Sequence, residues 1–331
     1  MVPKFSNLLQ LIERFPDERS CHQYLAGQRW DGYMQCPHTG CKGDTAWVFK
    51  DGIRYKCKCC KRIYTAKTGT IFESSNIGLK KWFVAIYLVM HKKGISSIQL
   101  AKDIGITQKS AWFLLHRIRI VLGNEVPNKL GNTVMADETF VGGKNKNRHH
   151  DKKVKNSQGR SFKDKTPVLG LMESQQYYVN ERPHKYTSTK TVKDKIVTKQ
   201  SKVLCFVVPD TSRENIQPLI KQNVSIGATF VSDEWKAYYG VNSLYDHHIV
   251  DHSRKQYVND SGYTTNPVEG FWSLCKRSII GIYHKTSRKH LQKYFHEFTF
   301  RYNYRTLGAQ ELMNVFVGNI NVRLKYKQLI S

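Results

Sequence analysis

Three carboxylates occupy positions from which a folded chain can bring them together. Asp137 and Asp233 each end a short apolar run, and Glu269 opens an amphipathic helical segment that carries Lys276 about two turns further on. Carboxylates at two strand ends and on one helix can converge on a pair of divalent metal ions, the arrangement that in-line phosphoryl transfer requires. The 331-residue chain has 53 Lys and Arg against 26 Asp and Glu, a formal charge of +27. The expected substrate of this chemistry is therefore a polynucleotide, whose phosphates the cations would neutralise.

A glutamate follows each of the two aspartates. Because successive strand residues face opposite sides of a sheet, we expect one member of each pair, not both, to point at the metals. We predict that the ligands are Asp137 and Asp233, since the shorter side chain holds a metal closer to the strand. Glu138 and Glu234 are then expected to be exposed or to support the ligands. Lys276 is seven residues from Glu269, so it shares that face of the helix, near a phosphate of a DNA end.

A second kind of site is indicated by the cysteines. Five of the eight lie within 25 residues, and two facing Cys-containing turns provide the four soft ligands that a tetrahedral zinc ion prefers. We predict one structural zinc ion with these ligands: Cys36, Cys41, Cys57 and Cys60. The first gap is wider than two residues, so His38 or Cys59 stays open as a replacement for one ligand.

The segment between the cysteines and Asp137 has the pattern of a helix-turn-helix motif. An amphipathic helix over 79–91 precedes a second helical run, a turn with Gly105, and Thr107, which can cap a third helix. In such a motif the N-terminal residues of the last helix approach base edges in the major groove. The residues expected at bases or phosphates are Gln108, Lys109, Ser110, Trp112, His116, Arg117 and Arg119. A plain helical hairpin is the alternative.

The chain is predicted to be multidomain and α+β. The expected regions are a helical lead-in at 1–29, a zinc ribbon at 30–75, a helix-turn-helix region at 76–128, an α/β domain at 129–310 and a C-terminal tail at 311–331. Residues 144–202 form a basic insertion with 16 Lys and Arg against five acidic residues. This insertion is either a surface that contacts the DNA backbone or a solvated tether.

Several short motifs, spread over nearly the whole chain, resemble a known family. They lie at 55–60, 68–73, 81–83, 108–112, 136–143, 232–234, 266–273 and 300–303. In this order they resemble the DDE insertion-sequence transposases with an N-terminal zinc ribbon, the ISXO2-like transposases. This is a bacterial family related to the eukaryotic Merlin elements.

The resemblance implies an RNase H-like catalytic domain that binds two Mg²⁺ or Mn²⁺ ions. It implies that the protein binds the terminal inverted repeats of an insertion sequence, cleaves the DNA there and transfers the strand through the freed 3′-OH. Glu269 is the third metal ligand in this interpretation, and Asn266 stays open because some members carry Asn in that role. Lys276 and Arg277 would contact DNA. Synapsis of two ends implies a homodimer or a larger assembly on double-stranded transposon-end and target DNA.

Two other classes of function stay open. One is a catalytically inactive DNA-binding regulator derived from a transposase, and the other is a metal-dependent nuclease that cuts without joining. We find neither a signal peptide nor an apolar run near the roughly 20 residues that a membrane-spanning helix needs. We therefore expect a cytoplasmic, nucleoid-associated protein with no membrane partner.

Overall fold

The computed structural model describes residues 4–91, 93–124, 128–143, 149–155, 165–185, 187–254, 257–324 and 326–330. The chain forms two compact units. The first unit combines Met1–Val126 with Tyr304–Ser331, and the second is Pro127–Asn303. Within the described ranges, no helix is both long and apolar enough to cross a membrane.

The elements are given in chain order. The first unit begins with α1 (Leu8–Arg14), α2 (Glu18–Trp30), β1 (Ala46–Val48), β2 (Arg54–Cys57), β3 (Ile63–Thr65), α3 (Leu79–Met90), α4 (Ser97–Ile104) and α5 (Gln108–Leu122). The second contains β4 (Thr133–Val141), β5 (Thr166–Glu173), β6 (Gln176–His184), β7 (Thr187–Lys199), β8 (Lys202–Val207), α6 (Arg213–Asn223), β9 (Thr229–Asp233), β10 (Asp246–Val250), α7 (Asn266–Ser278) and α8 (Leu291–Asn303). The first unit ends with α9 (Ala309–Gly318) and α10 (Tyr326–Ile330).

Side-chain caps start several helices of the first unit. Asn7, Asp17, Ser96 and Thr107 each accept a hydrogen bond from the backbone N–H three residues further on, which satisfies a donor that the helix itself leaves unpaired. These polar caps therefore fix where α1, α2, α4 and α5 begin.

The C-terminal segment completes the core of the first unit. Helix α9 packs against α2 and α3, and α10 packs against α5. The Tyr24 hydroxyl donates to Asn314, and the backbone N–H of Ile71 donates to the carbonyl of Ile320 at 3.2 Å. The first unit is thus built from two stretches of chain that are far apart in sequence.

Strands β1, β2 and β3 form a small antiparallel sheet beside the cysteine turns. One face of the sheet carries Tyr55 and Tyr64, which are buried and whose ring centroids lie 5.0 and 5.9 Å from that of Trp30. With the four-cysteine cluster described below, this arrangement is consistent with the predicted zinc ribbon.

The second unit is a mixed sheet covered by helices on both faces. The strand order is β10-β9-β4-β5-β8, in which β10, β9 and β4 are parallel while β5 is antiparallel to β4 and β8. Helix α6 lies over one apolar face, and helices α7 and α8 lie over the other. The predicted alternation of strands and helices is confirmed as a mixed α/β architecture.

The basic insertion is partly ordered into strands. Its described residues include β5, which contains the predicted strand at 167–172, and the two-stranded antiparallel ribbon β6–β7. The ribbon was not predicted. Residues 144–148 and 156–164 of the insertion lie outside the described residues.

Candidate active site

Two neighbouring parallel strands place Asp137 and Asp233 side by side. Strands β4 and β9 pair in parallel up to Met135 opposite Val231, and each aspartate lies two residues beyond this last pair. Met135 and Val231 face the α7 side of the sheet, so the aspartates face that side too. Asp233 is 4% exposed and Asp137 is partly buried. The two carboxylates therefore meet just beyond the point where β4 and β9 stop pairing. Asp233 ends β9, as expected, whereas Asp137 lies within β4, which continues to Val141 beside β5.

Neighbouring indole and backbone groups orient both carboxylates. The Trp272 Nε1–H, from α7, donates to Asp137 Oδ2 at 2.9 Å, and the backbone N–H of Trp235 donates to Asp233 Oδ1 at 3.0 Å. Trp272 reaches Asp137 across β5 at Gly170, the residue that pairs with Asp137 in the sheet. A Cβ at Gly170 would lie 2.4 Å from the indole, so this close approach requires glycine.

The site favours positive charge. Burial, together with the neighbouring carboxylates of Asp233 and Glu269, raises the pKa of Asp137 to about 6. The hydrogen bond from Trp272 opposes this shift. A cation bound here would relieve both the loss of hydration and the repulsion between like charges.

Glu138 lies close to the two aspartates, although successive strand residues face opposite sides of the sheet. Among the described residues, Asp137, Glu138 and Asp233 each offer a carboxylate oxygen, and these oxygens all lie within 4.8 Å of one another. Glu138 does face the other side of the sheet, where the Tyr238 hydroxyl donates to it. Because the pairing of β4 with β9 ends at Met135, the longer Glu138 side chain can reach across an open strand end.

Glu269 lies at the start of α7 but is held by other partners. Its carboxylate accepts a hydrogen bond from the Thr265 hydroxyl at 3.0 Å and lies 3.6 Å from His252 Nε2. His252 follows the end of β10 and its backbone N–H donates to Glu234 at 3.3 Å. Glu269 is 45% exposed and is not a member of the group whose oxygens lie within 4.8 Å.

The other residues predicted near the reaction lie on the exposed surface of α7. Asn266 is the first residue of this helix, and Lys276 and Arg277 lie in its last turn. All three are exposed, whereas Val268 and Phe271 on the same helix are buried against the sheet. The basic side chains are therefore accessible to a polyanion.

The donor set fits divalent cations that prefer oxygen. Asp137, Glu138 and Asp233 provide carboxylate oxygens alone, the hard ligands that suit Mg²⁺ and Mn²⁺. The raised pKa of Asp137 shows that its ionised form lacks full compensation in the protein alone. The residues present thus match the ions that the sequence resemblance implies.

A separate four-sulphur group lies in the first unit. Its members are Cys36, Cys41, Cys57 and Cys60, whose Sγ atoms all lie within 4.8 Å of one another. The Sγ atoms of Cys36 and Cys60 are 3.7 Å apart, as are those of Cys41 and Cys57. Sulphurs that surround a zinc ion tetrahedrally at about 2.3 Å lie about 3.8 Å from one another, so the observed spacing fits zinc.

The surroundings of the sulphurs also fit a metal site. The backbone N–H groups of Gly43 and Cys60 lie 3.4 Å from Cys41 Sγ and 3.5 Å from Cys57 Sγ, respectively. A Cβ at Gly43 would lie 2.8 Å from Cys57 Sγ, so only glycine fits this turn. Burial raises the pKa of Cys36 to about 12, and a zinc ion would supply the charge that stabilises its thiolate.

The structure separates the alternatives for the zinc ligands. Cys59 is exposed, and neither Cys59 nor His38 belongs to the four-sulphur group. His38 instead has its ring centroid 6.1 Å from that of Tyr64, in an edge-to-face arrangement.

Helices α4 and α5 are joined by a short turn, as the sequence predicted. Gly105 ends α4 in the left-handed conformation, with φ of 61°, and Thr107 caps α5. Gln108 and Lys109 are exposed at the start of α5, and Ser110 and Trp112 are partly buried. The beginning of α5 is thus partly accessible to a ligand.

Three residues predicted to contact DNA, His116, Arg117 and Arg119, are partly or fully buried in the first unit. Arg119 is 1% exposed, because it lies between Leu115 and Leu122 on the buried face of α5. Arg117 donates to the carbonyls of Ile71 and Leu324 at 3.2 and 3.4 Å. His116 is fully buried. In this structure, Arg119 and His116 are therefore not presented to DNA, whereas Arg117 is partly exposed.

Sequence reasoning missed the residues that arrange the carboxylates. They are Glu138 as a member of the group, Trp272, Gly170, Tyr238, Thr265 and His252. The Gly170 position carried a signal, since a glycine inside the apolar run 168–172 marks a close approach. The contact of Tyr238 with Glu138 joins residues that are 100 positions apart in the chain and had no such local signal.

Two comparisons with known proteins found similar sequences. The family model of the ISXO2-like transposase domain matches residues 129–303. An uncharacterized protein in transposable element ISH50 of Halobacterium salinarum is 31% identical over 173 residues, 49% of this chain. The match spans 57% of that relative's length. No solved structure matches the chain. Since the family match covers more than half of its residues, the chain belongs to the ISXO2-like transposase family.

Proposed function

We propose that the chain is a DNA transposase that binds the terminal inverted repeats of an insertion sequence and catalyses metal-dependent strand cleavage and strand transfer. The observation that carries this proposal is the pair of neighbouring aspartates, Asp137 and Asp233, on the adjacent parallel strands β4 and β9 inside the segment that matches the family. The sheet order and the mixture of parallel and antiparallel strands support the RNase H-like architecture that the resemblance implied.

In this proposal Asp137, Asp233 and Glu269 hold two Mg²⁺ or Mn²⁺ ions. When bound, such ions lower the pKa of the attacking hydroxyl and stabilise charge on the leaving oxygen. The chain's own groups set the geometry: the Trp272 indole holds Asp137, and the backbone N–H of Trp235 holds Asp233. Lys276 on the exposed side of α7 binds a phosphate of the DNA end and orients the scissile strand.

The first unit supplies DNA recognition in this proposal. Helices α4 and α5 act as a helix-turn-helix motif, with Gln108 and Lys109 at base edges or phosphates. One zinc ion bound by the four cysteines stabilises the β1–β3 sheet, since a four-coordinate site of this kind has no open position for catalysis. Two copies or more bring two transposon ends together with target DNA.

The test uses labelled duplexes that carry the terminal repeats flanking the gene, incubated with Mg²⁺ and the full-length protein. We expect nicked and joined products from the wild type. Asp233→Ala should give none, because removing one ligand carboxylate disables both chemical steps. Glu234→Gln is the matched control, because this exposed neighbour lies outside the carboxylate group.

The products also separate the competing functions. Tight binding by the wild type without any product would refute the transposase proposal and favour a DNA-binding regulator. Nicked products without joined ones would favour a metal-dependent nuclease.

A further inference from the structure

Glu138 is the third member of the carboxylate group, although it extends from the opposite side of β4 to Asp137. We propose that Glu138 is an additional ligand of the divalent-metal centre and that Tyr238 is the positioning residue that holds it there. This inference rests on the proposed function, because it concerns the same metal centre.

Tyr238 is a rigid hydrogen-bond donor. It lies in the short 3₁₀ turn Lys236–Tyr238 that follows Asp233, and its side chain is fully buried. Its ring packs in the core with Phe230, at 5.9 Å between ring centroids. Its hydroxyl donates a hydrogen bond to the Glu138 carboxylate.

This hydrogen bond leaves Glu138 able to bind an ion. A carboxylate has about four lone-pair sites on its two oxygens, and the bond from Tyr238 uses one of them. A Glu138 oxygen lies within 4.8 Å of oxygens on both Asp137 and Asp233. A ligand fixed by an outer hydrogen bond loses little conformational freedom when the ion arrives, which favours binding.

The other two glutamates near the site, Glu234 and Glu269, are more exposed than Glu138 and have different hydrogen-bond partners. Glu234 follows Asp233 as Glu138 follows Asp137, yet it is exposed and accepts a hydrogen bond from the His252 backbone. Glu269 is 45% exposed and accepts from Thr265. We therefore infer that, before DNA binds, Glu138 contributes more to ion affinity than Glu269 does.

The test measures Mn²⁺ binding to the zinc-loaded, full-length protein by the electron paramagnetic resonance signal of free Mn²⁺. Glu138→Gln keeps the size of the side chain and a carbonyl acceptor for Tyr238 but removes the charge. We expect the dissociation constant of the tighter Mn²⁺ ion to rise by about tenfold or more, the range seen when groups around a metal are altered. Glu234→Gln should leave it within about twofold.

Tyr238→Phe tests the positioning role without changing the charge of the site. We expect the dissociation constant of this variant for Mn²⁺ to rise several-fold compared with the wild type. The circular dichroism spectrum of the variant at low temperature should match that of the wild type. The double variant Glu138→Gln with Tyr238→Phe should bind no more weakly than Glu138→Gln alone, since Tyr238 acts through Glu138. A merely structural role for Tyr238 would instead weaken the double variant further.

Two results would overturn the inference. If Glu138→Gln binds Mn²⁺ like the wild type while Glu269→Gln no longer binds Mn²⁺, Glu138 is only a hydrogen-bond acceptor. In that case, DNA cleavage by the wild type would show that the proposed function survives. If the wild type and Asp233→Asn both fail to bind Mn²⁺ and to cleave DNA, the metal centre and the proposed function fail together.

Discussion

Replacing Asp137 by Asn should stabilise the metal-free protein while abolishing its response to Mg²⁺. Asn has nearly the same shape, and its carbonyl oxygen can still accept the hydrogen bond from Trp272 Nε1. The substitution removes a charge that burial and two neighbouring carboxylates oppose. The predicted effect on stability is therefore the reverse of what most single substitutions give.

The magnitude follows from the pKa of Asp137. Its rise from 3.8 to about 6 in the folded protein corresponds to about 3 kcal/mol of free energy, at about 1.4 kcal/mol for each unit. Because the folded pKa lies above the unfolded one, this contribution to stability is present below about pH 4 and is lost as the pH rises through about 6. At about pH 8 the wild type lacks it, whereas Asp137→Asn is insensitive to this titration.

Thermal unfolding of the full-length, zinc-loaded proteins in metal-depleted buffer measures the difference. At about pH 8 we expect Asp137→Asn to unfold roughly 6 to 12 °C above the wild type, at 2 to 4 °C for each kcal/mol in a unit of this size. The difference should nearly vanish at about pH 4. Millimolar Mg²⁺ should raise the unfolding temperature of the wild type and leave that of the variant unchanged.

The exposed Glu234 provides a control, since Glu234→Gln should change stability by no more than about 0.5 kcal/mol. The electrostatic reasoning would be refuted if Asp137→Asn were less stable than the wild type at about pH 8, or if the difference were equally large at about pH 4. Equal stabilisation of both proteins by Mg²⁺ would show that Asp137 is not a metal ligand.

Three further substitutions probe other parts of the structure. Gly170→Ala places a methyl group against Trp272 and should destabilise the protein by about 1 to 3 kcal/mol in thermal unfolding, with loss of DNA cleavage; unchanged cleavage would show that the indole's position does not matter. Cys60→Ser should lower the zinc content measured by elemental analysis, whereas Cys59→Ser should keep it, and equal zinc in both would refute the ligand set. Lys276→Ala should weaken DNA binding regardless of sequence and reduce the slope of log affinity against log salt by about 1, and an unchanged slope would argue against a phosphate contact.

Residues that carry a local pattern were predicted well from the sequence. Asp137 and Asp233 end apolar runs that are strands, and the four cysteines lie in two turns at metal-binding spacing. For these aspartates and cysteines, the same short stretch of sequence specifies both the local structure and the metal-binding side chains. Strand alternation also predicted which face Glu138 occupies.

Features that depend on the reach of side chains or on packing between distant segments were not predictable in this way. The approach of Glu138 to the aspartates follows from where the β4–β9 pairing ends, which a single sequence does not reveal. Arg119 was expected at a phosphate, yet it is buried, because most of the surface of α5 is covered by the rest of the first unit. The β6–β7 ribbon was overlooked because its lysines outweighed its strand-forming Tyr, Val and Thr residues.

The division of the first unit into two stretches of sequence has a consequence for protein synthesis. Helices α2, α3 and α5 need α9 and α10 as packing partners, and the whole second unit is translated between them. At about 5 to 20 residues per second, the N-terminal stretch waits on the ribosome for roughly 10 to 35 seconds before these partners emerge. The second unit, continuous in sequence, can fold during this interval. A nascent chain therefore completes its proposed DNA-binding unit last, and translation products cut short before α9 lack the packing partners of that unit.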